Sequence, residues 1–112
     1  MRERNVEWSP EEKKIARRAF EAARVETLAK TLAEFKRRAS EAATPDDMWA
    51  VEKYLRQKRG EIDTAFDYRY STLLLVFARL IRDGSLDEAR LAGLSDDKLK
   101  IIRSYLSWAA RD

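Results

Sequence analysis

Asp46, Asp47, Glu61, Asp63 and Asp67 are the acids close enough together in this chain to suggest hydrolytic or metal chemistry. They would have to act without the usual agents. There is no cysteine, which removes thiolate nucleophiles, disulfides and Cys-rich zinc sites. There is no histidine, so the commonest general base and transition-metal ligand are missing too. Each acid also has a local use. Asp46 and Asp47 follow Thr44-Pro45, where negative charge suits a helix start. Asp63 lies four residues after Arg59, at the spacing of a helical ion pair. Asp67 and Arg69 fall where a helix is expected to break, so helix capping is their expected role. The expectation is a protein with no catalytic residue and no metal.

A second constellation suits binding better. On a helical wheel of about 100° per residue, Met48, Val51, Leu55, Ile62 and Phe66 form an apolar core stripe. Trp49, Glu52, Lys53, Arg56, Arg59, Gly60 and Asp63 share another face. A tryptophan there either packs on the first helix of its own chain or waits for a partner. Trp and Arg are the residue types enriched at binding hot spots, which favours an interface.

The elements that must carry this face are all helical. Ser9-Pro10-Glu11-Glu12 supplies an N-cap, a proline in the first turn and two acids at the positive end of the dipole. An apolar pattern through Ile15, Ala19, Phe20, Leu28, Leu32, Phe35 and Ala39 follows, predicting a helix over Pro10–Ser40. Thr44-Pro45-Asp46-Asp47 repeats the start signal for a second helix that contains Gly60. A break is expected within Phe66–Ser71, then a buried helix Thr72–Arg82 stopped by Asp83-Gly84. Short helices are expected at Leu86–Leu91 and Asp96–Ala110, with Gly93 between them and Ser95 as the second N-cap.

Length then bears on assembly. A helix over Pro10–Ser40 is roughly 45 Å long, whereas a compact chain of this size has a radius of gyration of about 13 Å. Its stripe cannot be covered by its own domain, and no glycine or proline lies between Glu11 and Thr44 to fold it back. The expected architecture is a single all-α domain over 1–112. Residues 9–65 form the helices of an elongated homodimer, and residues 66–112 a compact helical head.

The 112 residues carry 23 basic and 20 acidic side chains, a surplus of +3. The basic runs Lys13-Lys14, Arg17-Arg18 and Lys36-Arg37-Arg38 alternate with acids, so they read as solvated faces and no nucleic-acid partner is expected. The longest apolar run, Leu73–Ala78, is far short of the roughly 18 residues of a membrane span. The polar start Met1-Arg-Glu-Arg-Asn carries no signal-peptide pattern, and the expected location is cytoplasmic.

The central block also resembles the fluorescence recovery protein family. The resemblance rests on Asp46-Asp47, Trp49, Leu55, Lys58-Arg59, Glu61-Ile62-Asp63, Asp67, Arg69, Ser71, Val76-Phe77-Ala78 and Gly84. It extends from Trp8-Ser9 and Ala19-Phe20 to the Leu91–Ile101 region. It implies an all-helical homodimer without cofactor that binds the photoactivated orange carotenoid protein and hastens its return to the resting form, ending photoprotective quenching. In such proteins the positions of Trp49 and Arg59 belong to the dimer and partner-contact region. Leu75 and the segment around Lys98 would form a second contact in the head. The chain departs from the family at Glu52, Lys53 and Gly60, where W-x-x-H-D-F-L and K-R-H-E are usual. The alternative reading keeps the dimer and the Trp49 face but gives them a different protein partner, as an adaptor.

Overall fold

Helix ends in this chain are set by side chains that satisfy the first free backbone N–H groups. The computed structural model describes residues 7–111, with side chains to Trp108. Ser9 Oγ accepts the Glu12 N–H at 3.1 Å, and Glu12 Oε1 accepts the Ser9 N–H at 3.0 Å. This capping box opens α1 (Pro10–Glu41). Thr44 and Asp47 repeat it at 3.1 and 3.2 Å to open α2 (Pro45–Ala65), which runs through Gly60 without a break. Residues 66–72 form the expected interruption before α3 (Leu73–Arg82).

Gly84, at φ +80°, ends α3. Its N–H reaches the Ile81 carbonyl at 3.0 Å and the Ser85 N–H reaches Leu80 at 2.9 Å, the paired bonds of a Schellman stop. The expected helix over Leu86–Leu91 is instead a 3₁₀ turn, Glu88–Leu91. Asp87 takes the Ala89 N–H on its side chain at 3.0 Å and starts the turn late. Gly93, at φ +106°, then closes the segment. The last helix, α4 (Asp96–Arg111), falls where it was expected.

The result is an all-helical chain with no strand among the described residues. Its core lies at one end. Ala16, Ala19, Phe20 and Ala23 of α1 meet Leu73, Phe77 and Leu80 of α3, Leu91 of the 3₁₀ turn and Ile102 of α4. The alanines let the other elements come close to α1. The head is thus completed by the first half of α1. The three-residue turn after Glu41 sends α2 back along the second half of α1 as a helical hairpin.

Beyond Thr31, the last α1 residue to share a cleft with the end of α3, only these two helices remain, and a two-helix layer has no third element to cover it. The radius of gyration is 17.1 Å and the extents are 53 × 30 × 20 Å, much longer than a compact chain of this size. Met48, expected in the core stripe, is 51% exposed for this reason, while Ile62, nearer the head, is buried. Val51, Leu55 and Phe66 are half-buried.

Candidate functional site, an exposed interaction face

The uncovered half of the hairpin presents Val25, Leu28 and Leu32 from α1 and Met48 and Trp49 from α2. Trp49 is 61% exposed, so it is not packed on the first helix of its own chain. Two clefts run between the helices and share Leu55, and Trp49 lines neither of them. One, of about 300 Å³, is lined by Phe35, Ala39, Met48, Val51 and Glu52. The other, of about 380 Å³, is lined by Arg24, Leu28, Ile62, Arg59 and Asp63. The fold therefore sets Glu52, Arg59 and Asp63 along one apolar strip, with charged groups at its edge.

Arg56 and Lys53 lie on the flank of α2, both exposed. Arg56 pairs with Glu52 at 2.6 Å, and this bond holds the Glu52 carboxyl below its ordinary range. The expected Arg59–Asp63 pair is absent among the described residues. An acid placed N-terminal to its base, as in Glu52–Arg56, is the better ordered pair on a helix. Lys53 makes no ion pair among the described residues. Asp67 and Arg69, expected to cap helix ends, bond to each other at 2.6 Å across the α2–α3 connector.

Aromatic rings fix that connector on α1. Tyr68 lies 4.9 Å from Phe20 edge-on, and the Arg17 guanidinium lies 3.9 Å over the Tyr68 ring. Tyr70 bridges Tyr68 at 5.4 Å and Trp8 at 5.3 Å. Burial, and then the neighbouring Tyr70 hydroxyl, push the Tyr68 phenol up to about 12. This stack sets the position of the head relative to the hairpin.

Of the two head residues expected to contact a partner, Leu75 is half-buried at the edge of two surface clefts. Lys98 sits inside the fold. Its side chain is 7% exposed, and its Nζ donates to the Glu7 carbonyl at 2.6 Å and to Glu12 Oε1 at 3.1 Å. Burial opposes ionisation of Glu12, but the Ser9 and Ser95 N–H groups and Lys98 together bring its carboxyl down to about 2. Sequence reasoning missed this pair. The signal was there: Lys98 stands three residues after the Ser95 N-cap, where a capping box would put an acid. Among the described residues no three acids converge as a metal site would require.

The family model for the photoprotection regulator fluorescence recovery protein matches residues 8–106. The fluorescence recovery protein of Synechocystis sp. PCC 6803 is 34% identical over 97 residues, 87% of this chain and 89% of that protein. The solved structure of the Fremyella diplosiphon fluorescence recovery protein is similar with a TM-score of 0.84 and 36% identity, covering 88% of this chain and 97% of that one. The solved Synechocystis structure gives a TM-score of 0.84 at 33% identity, with the same two coverages.

Proposed function

The chain belongs to the photoprotection regulator fluorescence recovery protein family, and from that membership we propose that it is a non-enzymatic regulator of the orange carotenoid protein. It binds the photoactivated form and speeds return to the resting form, ending photoprotective quenching. The observation that carries this reading is the exposed apolar strip along the hairpin, Leu28, Met48 and Leu55, edged by Glu52, Arg59 and Asp63, with the exposed Trp49 on the flank of α2 beside it.

A surface of this kind suits self-association, and the homodimer would use it first. Trp49 and Arg59 anchor the interface, with Glu52, Lys53, Arg56 and Asp63 setting its charge. The head around Leu75 supplies a second contact, and Lys98 supports it from inside. A protein that only accelerates relaxation must bind the transition state between two forms more tightly than the starting form. An elongated body that touches two domains of its partner at once raises their effective concentration for re-docking. Neither step needs a catalytic side chain or a cofactor. No helix among the described residues is long and apolar enough to cross a membrane, and the proposed site of action is the cytoplasm.

The test is the dark recovery of photoactivated orange carotenoid protein, followed by absorbance with and without this chain. Saturable acceleration supports the reading. No acceleration from folded protein would sink it and favour an adaptor dimer with another partner. Lys53, which stands at the aspartate of the W-x-x-H-D-F-L motif that this block resembles, is the specific feature that keeps this second reading.

A further inference from the structure

We propose that the trough between α3 and α4 docks an acidic, amphipathic segment of a partner protein. Its bulky apolar side chain would rest on Leu75, Tyr105 and Trp108, and its carboxylates would meet Arg79 and Arg82. The inference deepens the proposed function, resting on its reading of the head as a second contact, and names the chemistry recognised there.

The trough has a volume of about 360 Å³, and its lining contains no acid. Trp108 is 67% and Tyr105 40% exposed, and they stand one helical turn apart on the same side of α4. Opposite them on α3, Leu75, Arg79 and Arg82 follow at helical spacing, so apolar floor and positive rim come from one face. The buried residues beneath, Phe77 and Ile102, keep the two helices together and leave these side chains outside.

The two arginines are not spent on internal pairs. Arg79 makes no ion pair among the described residues, and Arg82 reaches only its neighbour Asp83, at 3.5 Å. Guanidinium groups donate two N–H bonds at a time to a carboxylate, and aromatic rings give large contact area at small entropic cost. A small inorganic anion would satisfy the arginines and leave both rings in water. An apolar segment without charge would cover the rings and leave two cations at the rim. A segment carrying both kinds of group matches the whole surface. The trough shares no residue with the hairpin clefts, so it stays available when the hairpin face is occupied.

The test uses the full chain and fluorescence anisotropy of a labelled short peptide, Phe and Leu flanked by glutamates. Two control peptides replace the glutamates with lysines or the Phe and Leu with alanines. We expect saturable binding of the first peptide only, weakened by salt. The double variant Arg79→Glu, Arg82→Glu and the single variant Trp108→Ala each weaken it about tenfold or more. All three residues are outside the core, and circular dichroism checks that the variants fold. Binding that survives these changes overturns the proposal. So does equal binding of the alanine peptide, which is plain charge attraction, or loss of a higher oligomer in Trp108→Ala, which would assign the trough to a second copy. The recovery assay separates the two ideas. Acceleration without peptide binding removes the trough and keeps the regulator, while peptide binding without acceleration does the reverse.

Discussion

Glu12 Oε2 accepts the backbone N–H of Ser95 at 2.9 Å, although the two residues stand 83 positions apart. Its other oxygen accepts the N–H of Ser9 at 3.0 Å. One carboxylate thus plays the acid of a capping box at the start of α1 and at the start of α4. In α4 the residue that would normally do this is Lys98, which instead donates to the same carboxylate at 3.1 Å. The head is fastened to the long helix by this shared acid.

That fastening predicts an acid-sensitive fold. The Glu12 carboxyl is lowered from 4.5 to about 2, so its contribution is fully present above pH 4.5 and is lost as the pH falls through about 2. Urea unfolding at a series of pH values should show stability declining across this window. Glu12→Gln should cost about 2 kcal/mol at neutral pH and flatten the decline. An unchanged slope in that variant would mean another group carries the acid sensitivity.

Gly60 lies inside α2, and a Cβ built on it meets nothing within 4 Å. Gly60→Ala should stabilise the fold by about 0.5–1 kcal/mol through the lost freedom of the unfolded chain. Denaturant midpoints read this directly. A loss of stability would point to a contact made only in the assembled protein.

Gly93 is a different case. It holds φ +106°, and a Cβ there would come within 2.5 Å of Ile15 Cδ1. Gly93→Ala should destabilise by roughly 1–3 kcal/mol. Adding Ile15→Val should recover the steric part and leave the backbone part, which a double-mutant cycle in urea would separate.

In the proposed homodimer, Trp49→Leu should raise the monomer–dimer dissociation constant about tenfold or more in sedimentation or light scattering. Trp108→Leu should leave it unchanged. Since Trp49 is 61% exposed in the single chain, far-ultraviolet circular dichroism should not change. Equal effects of the two substitutions on association would remove the hairpin face as the interface.

Lys53→Asp should increase the acceleration of orange carotenoid protein recovery if the proposed function holds, because it restores the acid that the motif this block resembles carries four residues after its tryptophan. Like charges facing one another at an interface cost up to several kcal/mol. A rate that falls or stays level would show that Lys53 is not what sets this chain apart.

Much of the fold was legible because helix signals are local. Ser9-Pro10, Thr44-Pro45 and Asp83-Gly84 act through hydrogen bonds spanning three to five residues, so each can be read from its own neighbourhood. The short segment before Leu91 was less legible, because Asp87 can serve a helix or a 3₁₀ turn and the difference rests on one N–H. The Arg59–Asp63 pair was an available spacing that the folded chain did not use. Asp67 and Arg69 were placed correctly at a break, but their mutual bond was not foreseen.

The sequence alone determined the helical class, the two capped helices, the connector after α2, and a first helix too long to be covered by one small domain. Those properties follow from backbone hydrogen bonding, side-chain periodicity and helix rise. Only the tertiary structure decided that Lys98 is inside and Trp49 outside, that Met48 leaves the core, and that α1 lends its first half to the head. A wheel shows which residues share a side, but not which side another element will cover. Glu12, Ser95 and Lys98 came together through the closing of a chain over more than eighty residues, and no local spacing encodes that meeting.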